Sequence, residues 1–136
     1  MQKLERFLAE KWLERFALVG LVIVFIYSGI DKLLNFDAAQ AEYIALNLQP
    51  ASLLVGLTIV AQLAGSALLF SRRYAMWGGL ILAAFTAMAT LIAHRFWTAP
   101  PSTYVAELNA FLEHLGLIGA FLLVAHLSAA RNIHSR

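Results

Sequence analysis

The sequence predicts an all-α integral membrane protein: one domain built as a four-helix transmembrane bundle, with an N-terminal amphipathic helix at the interface. Three observations predict it. Hydrophobic residues make up 61% of the 136 residues and charged residues 13%, against about 45–50% and about 25% in soluble domains. A chain this short buries the smallest share of its surface, so the apolar surplus has to face lipid; the mean hydropathy of +0.74 agrees. Four apolar runs recur, at about 16–34, 52–70, 74–93 and 110–130, near the roughly 20 residues that cross a bilayer. The cationic residues fall between these runs in an alternating order.

Residues 2–15 come first. Leu4, Phe7, Leu8, Trp12 and Leu13 share one helical face, while Lys3, Glu5, Arg6, Glu10, Glu14 and Arg15 lie elsewhere. This pattern predicts a helix lying in the interface before the first span; an arm that binds a protein partner is the alternative. The segment is not expected to be a signal peptide, because its charged part is long, contains three glutamates and has no small-residue cleavage site after the apolar run.

The second and third runs exclude a soluble bundle. Between Leu53 and Phe70 the only polar residues are Thr58, Gln62 and Ser66, and a helix apolar on every side is buried or in lipid. The first run is short unless flanking residues snorkel. The fourth carries Glu113, His114 and His126 and is the least hydrophobic. Small residues recur four apart, as in Ala61 and Gly65, then Ala75, Gly79, Ala83 and Ala87, then Gly116 and Ala120. They permit close helix approach.

Lys and Arg set the orientation. Lys3, Arg6, Lys11, Arg15, Arg72, Arg73, Arg131 and Arg136 fall on one side, and only Lys32 and Arg95 on the other. By the positive-inside rule the richer side is cytoplasmic, with both termini. The first loop on the opposite side, about 35–51, is expected to hold a short helix with Asp37 as N-cap and Gln40 at capping-box spacing, stopped before Pro50. In the second, about 95–109, Pro100 and Pro101 disfavour helix. Trp97, Tyr104 and Tyr74 suit the headgroup level.

Several function classes drop out. The net charge of +2 and pI near 9.2 come from clusters between spans, not from a basic stripe, so no nucleic-acid partner is expected. The absence of cysteine removes thiolate nucleophiles and thiolate metal sites. No phosphate loop, nucleophile elbow or zinc motif is present.

Polar residues inside spans carry a cost and usually mark function. Tyr27, Asp31 and Lys32 lie at the outer end of the first span, and Tyr27 and Asp31 are i, i+4 neighbours on one face. His94 and Arg95 end the third span. Glu113 and His114 lie about one turn inside the fourth. Gln62 is near the midplane, about 15 Å into the second. These eight residues define a candidate outward-facing polar pocket able to exchange protons with a quinone-like ligand. The structural alternative is topological pairing and snorkelling for Asp31, Lys32 and Arg95, and interhelical hydrogen bonding for Gln62. Haem is disfavoured: His94 and His114 match in depth, but nothing else in the sequence signals a haem. His126, about 18 Å along the helix from His114, reads as structural. A metal site from His94, Glu113 and His114 is equally weakly signalled, and none is assigned.

The order of these residues resembles the DoxX family of small four-span bacterial membrane proteins over about 14–130. Ser28, Gly29 and Lys32 resemble the family's Ser-Gly-x-x-Lys stretch, and Phe36 and Tyr43 the aromatic and the tyrosine beyond it. Arg72 or Arg73 matches its short basic loop, His94 the histidine after the third span, and Gly119, in AFLEHLGLIGAFLLVA, a fourth-span glycine. Two departures stand out: Gln62 replaces a usual glutamate, and Glu113-His114 a usual Lys-Asn pair, so an intramembrane contact made by the usual pair is changed here. The resemblance implies a bacterial cytoplasmic (inner) membrane and a quinone-linked role. Relatives are described as subunits of membrane oxidoreductases, including a thiosulfate:quinone oxidoreductase, and as partners in oxidative-stress complexes; distant eukaryotic relatives act as chaperones or cargo receptors. The expected function is therefore a subunit of a membrane redox complex, with lipid, a protein partner or a second copy as neighbours. A non-enzymatic assembly protein is the alternative, and a small transporter a third.

Overall fold

The computed structural model describes residues 1–134. Arg136, one of the cations on the basic side, lies outside the described residues. Among the described residues four helices are long and apolar enough to cross a membrane: Lys11–Leu34, Ala51–Leu69, Ala75–Thr98 (which includes a 3-10 turn) and Tyr104–His134.

The chain starts with α1 (Gln2–Leu8), which is exposed throughout. The expected helix over 2–15 does not run through. Glu10 adopts extended backbone (φ −66°, ψ 133°), and α2 (Lys11–Leu34) begins at the next residue. Residues 11–15 thus join the first span. At 24 residues it reaches about 36 Å, ample for a hydrocarbon layer of about 30 Å. Phe7 and Trp12 stay in edge contact across the break, with ring centroids 5.6 Å apart.

One residue, Asn35, separates α2 from α3 (Phe36–Ala45). Asn35 therefore holds the N-cap position expected for Asp37. The turn takes a single residue, so α3 starts earlier and Asp37 falls in its first turn. Neither makes a side-chain cap bond; the Asn35 amide instead turns back to Asp31 Oδ1 at 2.8 Å. The helix ends before Pro50, where Asn47 takes a left-handed conformation (φ 57°), which asparagine tolerates better than most residues. α3 packs on α4 (Ala51–Leu69): Ala39 joins Val55 and Ile59 in a small core, and Tyr43 OH meets Thr58 Oγ1 at 2.6 Å.

Arg72 and Arg73 lie in the short link to α5 (Ala75–Ala93). After a 3-10 turn at Phe96–Thr98, α6 (Tyr104–His134) begins as soon as the proline pair is passed. Pro100 O accepts from the backbone N–H groups of Thr103 and Tyr104, both at 3.0 Å. The fourth span therefore starts six residues before the expected 110. That shift brings Glu107 into the first helical turn, where a carboxylate suits the helix dipole.

The spans pack in sequence, α2 on α4, α4 on α5 and α5 on α6. The main core joins Val22 and Phe25 of α2, Leu69 of α4, Leu82 and Ala83 of α5 and Phe121 of α6. Gly78 and Gly79 let α5 sit tightly between its neighbours. A Cβ on Gly78 would lie 2.7 Å from Gly65 O on α4, and one on Gly79 would lie 2.7 Å from Phe121 O on α6. The expected packing role holds for Ala75, Gly79 and Ala83, which are buried. Gly116 differs, having open space where a Cβ would be.

The contact between α2 and α6 is looser. The Phe25 and Phe121 rings meet edge to face at 5.2 Å, and Arg131 Nη1 reaches Glu14 Oε1 at 3.0 Å. This exposed ion pair contributes at most about 1 kcal/mol. Only 11% of the most apolar window of α6 is buried, and Leu122, Leu123, Val60, Leu57, Ile23 and Met88 stand exposed. A soluble monomer rarely presents contiguous apolar patches above about 600 Å²; these faces are built for lipid. We call the end with Arg72, Arg73 and Arg131 the basic end, and the end with His94 and His114 the histidine end.

Candidate functional site

The eight residues expected to form one pocket fall into two polar networks and an exposed group. The first network joins α5 to α6. Threonines at 86 and 90 lie along the buried face of α5, each bonding back one turn: Thr86 Oγ1 donates to Leu82 O at 2.7 Å and Thr90 Oγ1 to Thr86 O at 2.6 Å. Thr90 Oγ1 also lies 2.9 Å from His114 Nδ1. A hydroxyl has one proton, and Thr86 O takes it. His114 Nδ1–H is therefore the donor to Thr90, and Nε2 is left for another partner. One turn further on, His94 Nδ1 lies 3.0 Å from Glu107 Oε2. A carboxylate oxygen accepts, so His94 also donates through Nδ1 and keeps Nε2 available.

The two imidazoles meet edge to face, with centroids 4.8 Å apart. The sequence Glu107, His94, His114, Thr90, Thr86 thus forms one polar line across the α5–α6 seam. Its outer part is partly open, with the His94 and Glu107 side chains about a third exposed (27% and 33%). At the same end Phe96 contacts Phe111, Trp97 and Tyr104 (5.1, 5.2 and 6.1 Å between centroids). This aromatic cluster comes from the 3-10 turn and the start of α6. Its rings suit both the headgroup region and contact with a planar ligand.

The second network joins α2 to α4. Lys32 Nζ donates to Ser28 Oγ at 2.9 Å, and Gln62 Nε2 donates to the same oxygen at 3.2 Å. Gln62 is buried, and its Oε1 has no partner among the described residues. Such an orphan costs about 1–3 kcal/mol.

Tyr27, Asp31, Arg95 and Glu113 do not turn inward, contrary to the single-pocket expectation. Tyr27 is 72% exposed, and Asp31 on α2, Glu113 on α6 and Arg95 in the link after α5 are exposed as well. Helix rotation explains this. The inner face of α2 is set by Val22, Phe25 and Gly29, and a Cβ on Gly29 would sit 2.8 Å from Leu63. The i, i+4 pair flanking that face is Ser28 and Lys32, not Tyr27 and Asp31. Glu113 is one residue, about 100°, around α6 from His114. Arg95 Nε donates to Leu91 O, at 3.3 Å, within its own segment. Three cavities stand out, and none is lined by any of the eight residues. Among the described residues no group of three or more His, Asp or Glu side chains is placed to hold a metal ion.

Glu107 and Thr90 were not singled out by sequence. Both had a signal: Thr86, Thr90 and His94 are spaced by four, and Glu107 precedes His114 by seven, two turns on one face. Reading 95–109 as loop hid the second.

The fold defines a multi-pass helical membrane protein, with two histidine rings in contact at one end. The DoxX family profile matches residues 16–95, and the chain belongs to the DoxX family. The match covers Ser28, Lys32, Gln62, Thr90 and His94, whereas Glu107 and His114 lie beyond it. A search of curated proteins gives no match, and neither does a search of solved structures.

Proposed function

We propose that this protein is an accessory subunit of a quinone-linked redox system in a bacterial cytoplasmic membrane. In this reading the basic end and both termini face the cytoplasm. The His94–His114 pair exchanges protons with a quinone-like ligand that approaches the histidine end from the bilayer. One observation carries the reading: both imidazoles donate through Nδ1, to Glu107 and Thr90, which leaves an Nε2 on each for an outside partner. Oxidation of a quinol releases two electrons and two protons. The electrons are assigned to a redox partner protein, and the unprotonated Nε2 of each imidazole is the acceptor for a quinol proton. Glu107 orients the His94 ring through the Nδ1 hydrogen bond, and the aromatic cluster beside it offers stacking surface for the quinone ring.

The test uses Trp97, which sits in that cluster. With Trp12 and Trp77 changed to Phe, a short-tailed ubiquinone analogue added to the protein in nanodiscs should quench Trp97 saturably. The double variant His94→Leu, His114→Leu should lose the saturable phase. Equal quenching in both proteins would remove the proposal.

A second reading, a non-enzymatic assembly protein, draws on α1, whose Leu4, Phe7 and Leu8 are all exposed. A stoichiometric partner that is retained in mild detergent and lost on deleting residues 1–8 would favour it.

A further inference from the structure

The loose seam between α2 and α6 leaves a groove of about 670 Å³. Its wall is apolar, from Leu18 and Leu21 on α2, Leu69 on α4 and Val124 and Leu127 on α6, and it runs to Glu14, Arg131 and His134 at its mouth. Arg131 and Glu14 also line an adjoining cavity of about 430 Å³ with Lys11, Arg15 and Arg72. A third cavity, again touching Arg131 and Arg72, adds Arg73. An apolar trough therefore opens onto a basic cluster. Around the three cavities stand five cations, Lys11, Arg15, Arg72, Arg73 and Arg131, and two carboxylates, Glu10 and Glu14. Glu14 engages Arg131. Among the described residues the other four cations have no ion-pair partner; Arg73 lies over the Tyr74 ring at 5.6 Å.

We propose that this groove binds one anionic phospholipid, with an acyl chain along Leu18, Leu21, Val124 and Leu127 and the phosphate between Arg131 and Arg72. Charge complementarity selects this occupant. A guanidinium pair on one cavity suits a phosphate geometrically, and the apolar trough leading from it suits the tail of the same molecule. The groove volume falls within the range of about 300–1,000 Å³ typical of ligand pockets. A zwitterionic lipid would fill the trough without using the net positive charge. A partner helix would need its own acidic residues at the same depth. Glu14 is the brake on the site: it holds Arg131 and adds a negative charge beside the phosphate position.

The experiment is native mass spectrometry of the full chain in detergent, titrated with dioleoylphosphatidylglycerol, dioleoylphosphatidylcholine or inorganic phosphate. One phosphatidylglycerol per chain is expected, bound at least tenfold more tightly than phosphatidylcholine, with phosphate alone not retained. Removing Arg72 and Arg131 together (each to Gln) should weaken it about 25-fold, from about fivefold per cation near a membrane surface. Ala17 also lines the groove, so Ala17→Trp, which fills it, should weaken binding as well. Glu14→Gln should tighten it several-fold, a gain that misfolding cannot produce. Equal binding of the two lipids would overturn the proposal. So would Ala17→Trp leaving phosphatidylglycerol binding intact, which would reduce the site to surface charge. A dimer that closes the groove and that phosphatidylglycerol does not compete away would overturn it too.

Discussion

Gly79 is a point of close approach between α5 and α6, and Gly79→Ala tests whether that approach holds the histidine seam together. The added Cβ would lie 2.7 Å from Phe121 O, 3.1 Å from Ala125 Cβ and 3.2 Å from Ala125 N. The first contact is about 0.7 Å short of ordinary van der Waals distance, and backbone atoms cannot swing aside as a side-chain tip does. The helices have to part or shift, at a cost of about 1–3 kcal/mol for overpacking. Replacing glycine by alanine also favours the helix by up to about 1 kcal/mol, which would mask part of the effect. Gly116→Ala supplies the control, because that position has open space within 4 Å. The difference between the two variants isolates the clash. Unfolding in mixed micelles of increasing denaturing detergent, monitored by tryptophan fluorescence, should place Gly79→Ala about 1–3 kcal/mol below Gly116→Ala. Equal stabilities would refute the close-approach argument. The histidine seam bridges the same two helices, so loss of quinone quenching should accompany the loss of stability.

Other substitutions probe the two networks and the topology. Thr90→Val keeps the volume but strips His114 Nδ1–H of its acceptor; we expect a stability loss of about 1–3 kcal/mol and a changed His114 ¹⁵N shift, and an unchanged shift would contradict the tautomer assignment. Gln62→Leu removes one hydrogen bond to Ser28 together with an orphaned buried oxygen, so detergent titration should register a net change within about 1 kcal/mol; a larger loss would mean that the amide oxygen has a partner in the bilayer. Tyr27→Phe and Glu113→Gln alter exposed side chains and should each move stability by less than about 0.5 kcal/mol. The lack of cysteine makes Ser71→Cys and Ser102→Cys clean topology probes. An impermeant maleimide applied to intact spheroplasts should label Ser102→Cys at once and Ser71→Cys only after lysis; the opposite result would invert the proposed orientation.

The helices were legible in the sequence because lipid imposes a coarse rule: a span must be long and apolar, and nothing subtler is needed to find one. Boundaries were less legible where a single residue decides them. Glu10 breaks the first amphipathic stretch, Asn35 joins two helices without a loop, and Pro100-Pro101 starts α6 rather than prolonging a loop. A sequence assigns each polar residue a depth along its span but not the face it occupies. Depth comes from counting residues along a span. Direction needs the rotation of each helix, which is set by tertiary contacts such as Gly29 against Leu63 and Gly79 against Phe121. Tyr27 and Asp31 share a helical face, but it is the face turned from the bundle. His94 and His114 are 20 residues apart, and only the α5–α6 packing brings their rings together.

Photoaffinity labelling with an azido-quinone in native-like lipid, mapped by peptide mass spectrometry, tests the central claim most directly. The account predicts labelling concentrated between residues 94 and 114 at the histidine end, competed by unlabelled quinone and lost in the His94→Leu, His114→Leu variant. Labelling spread along the lipid-facing surfaces, or unaffected by removing the two histidines, would contradict it.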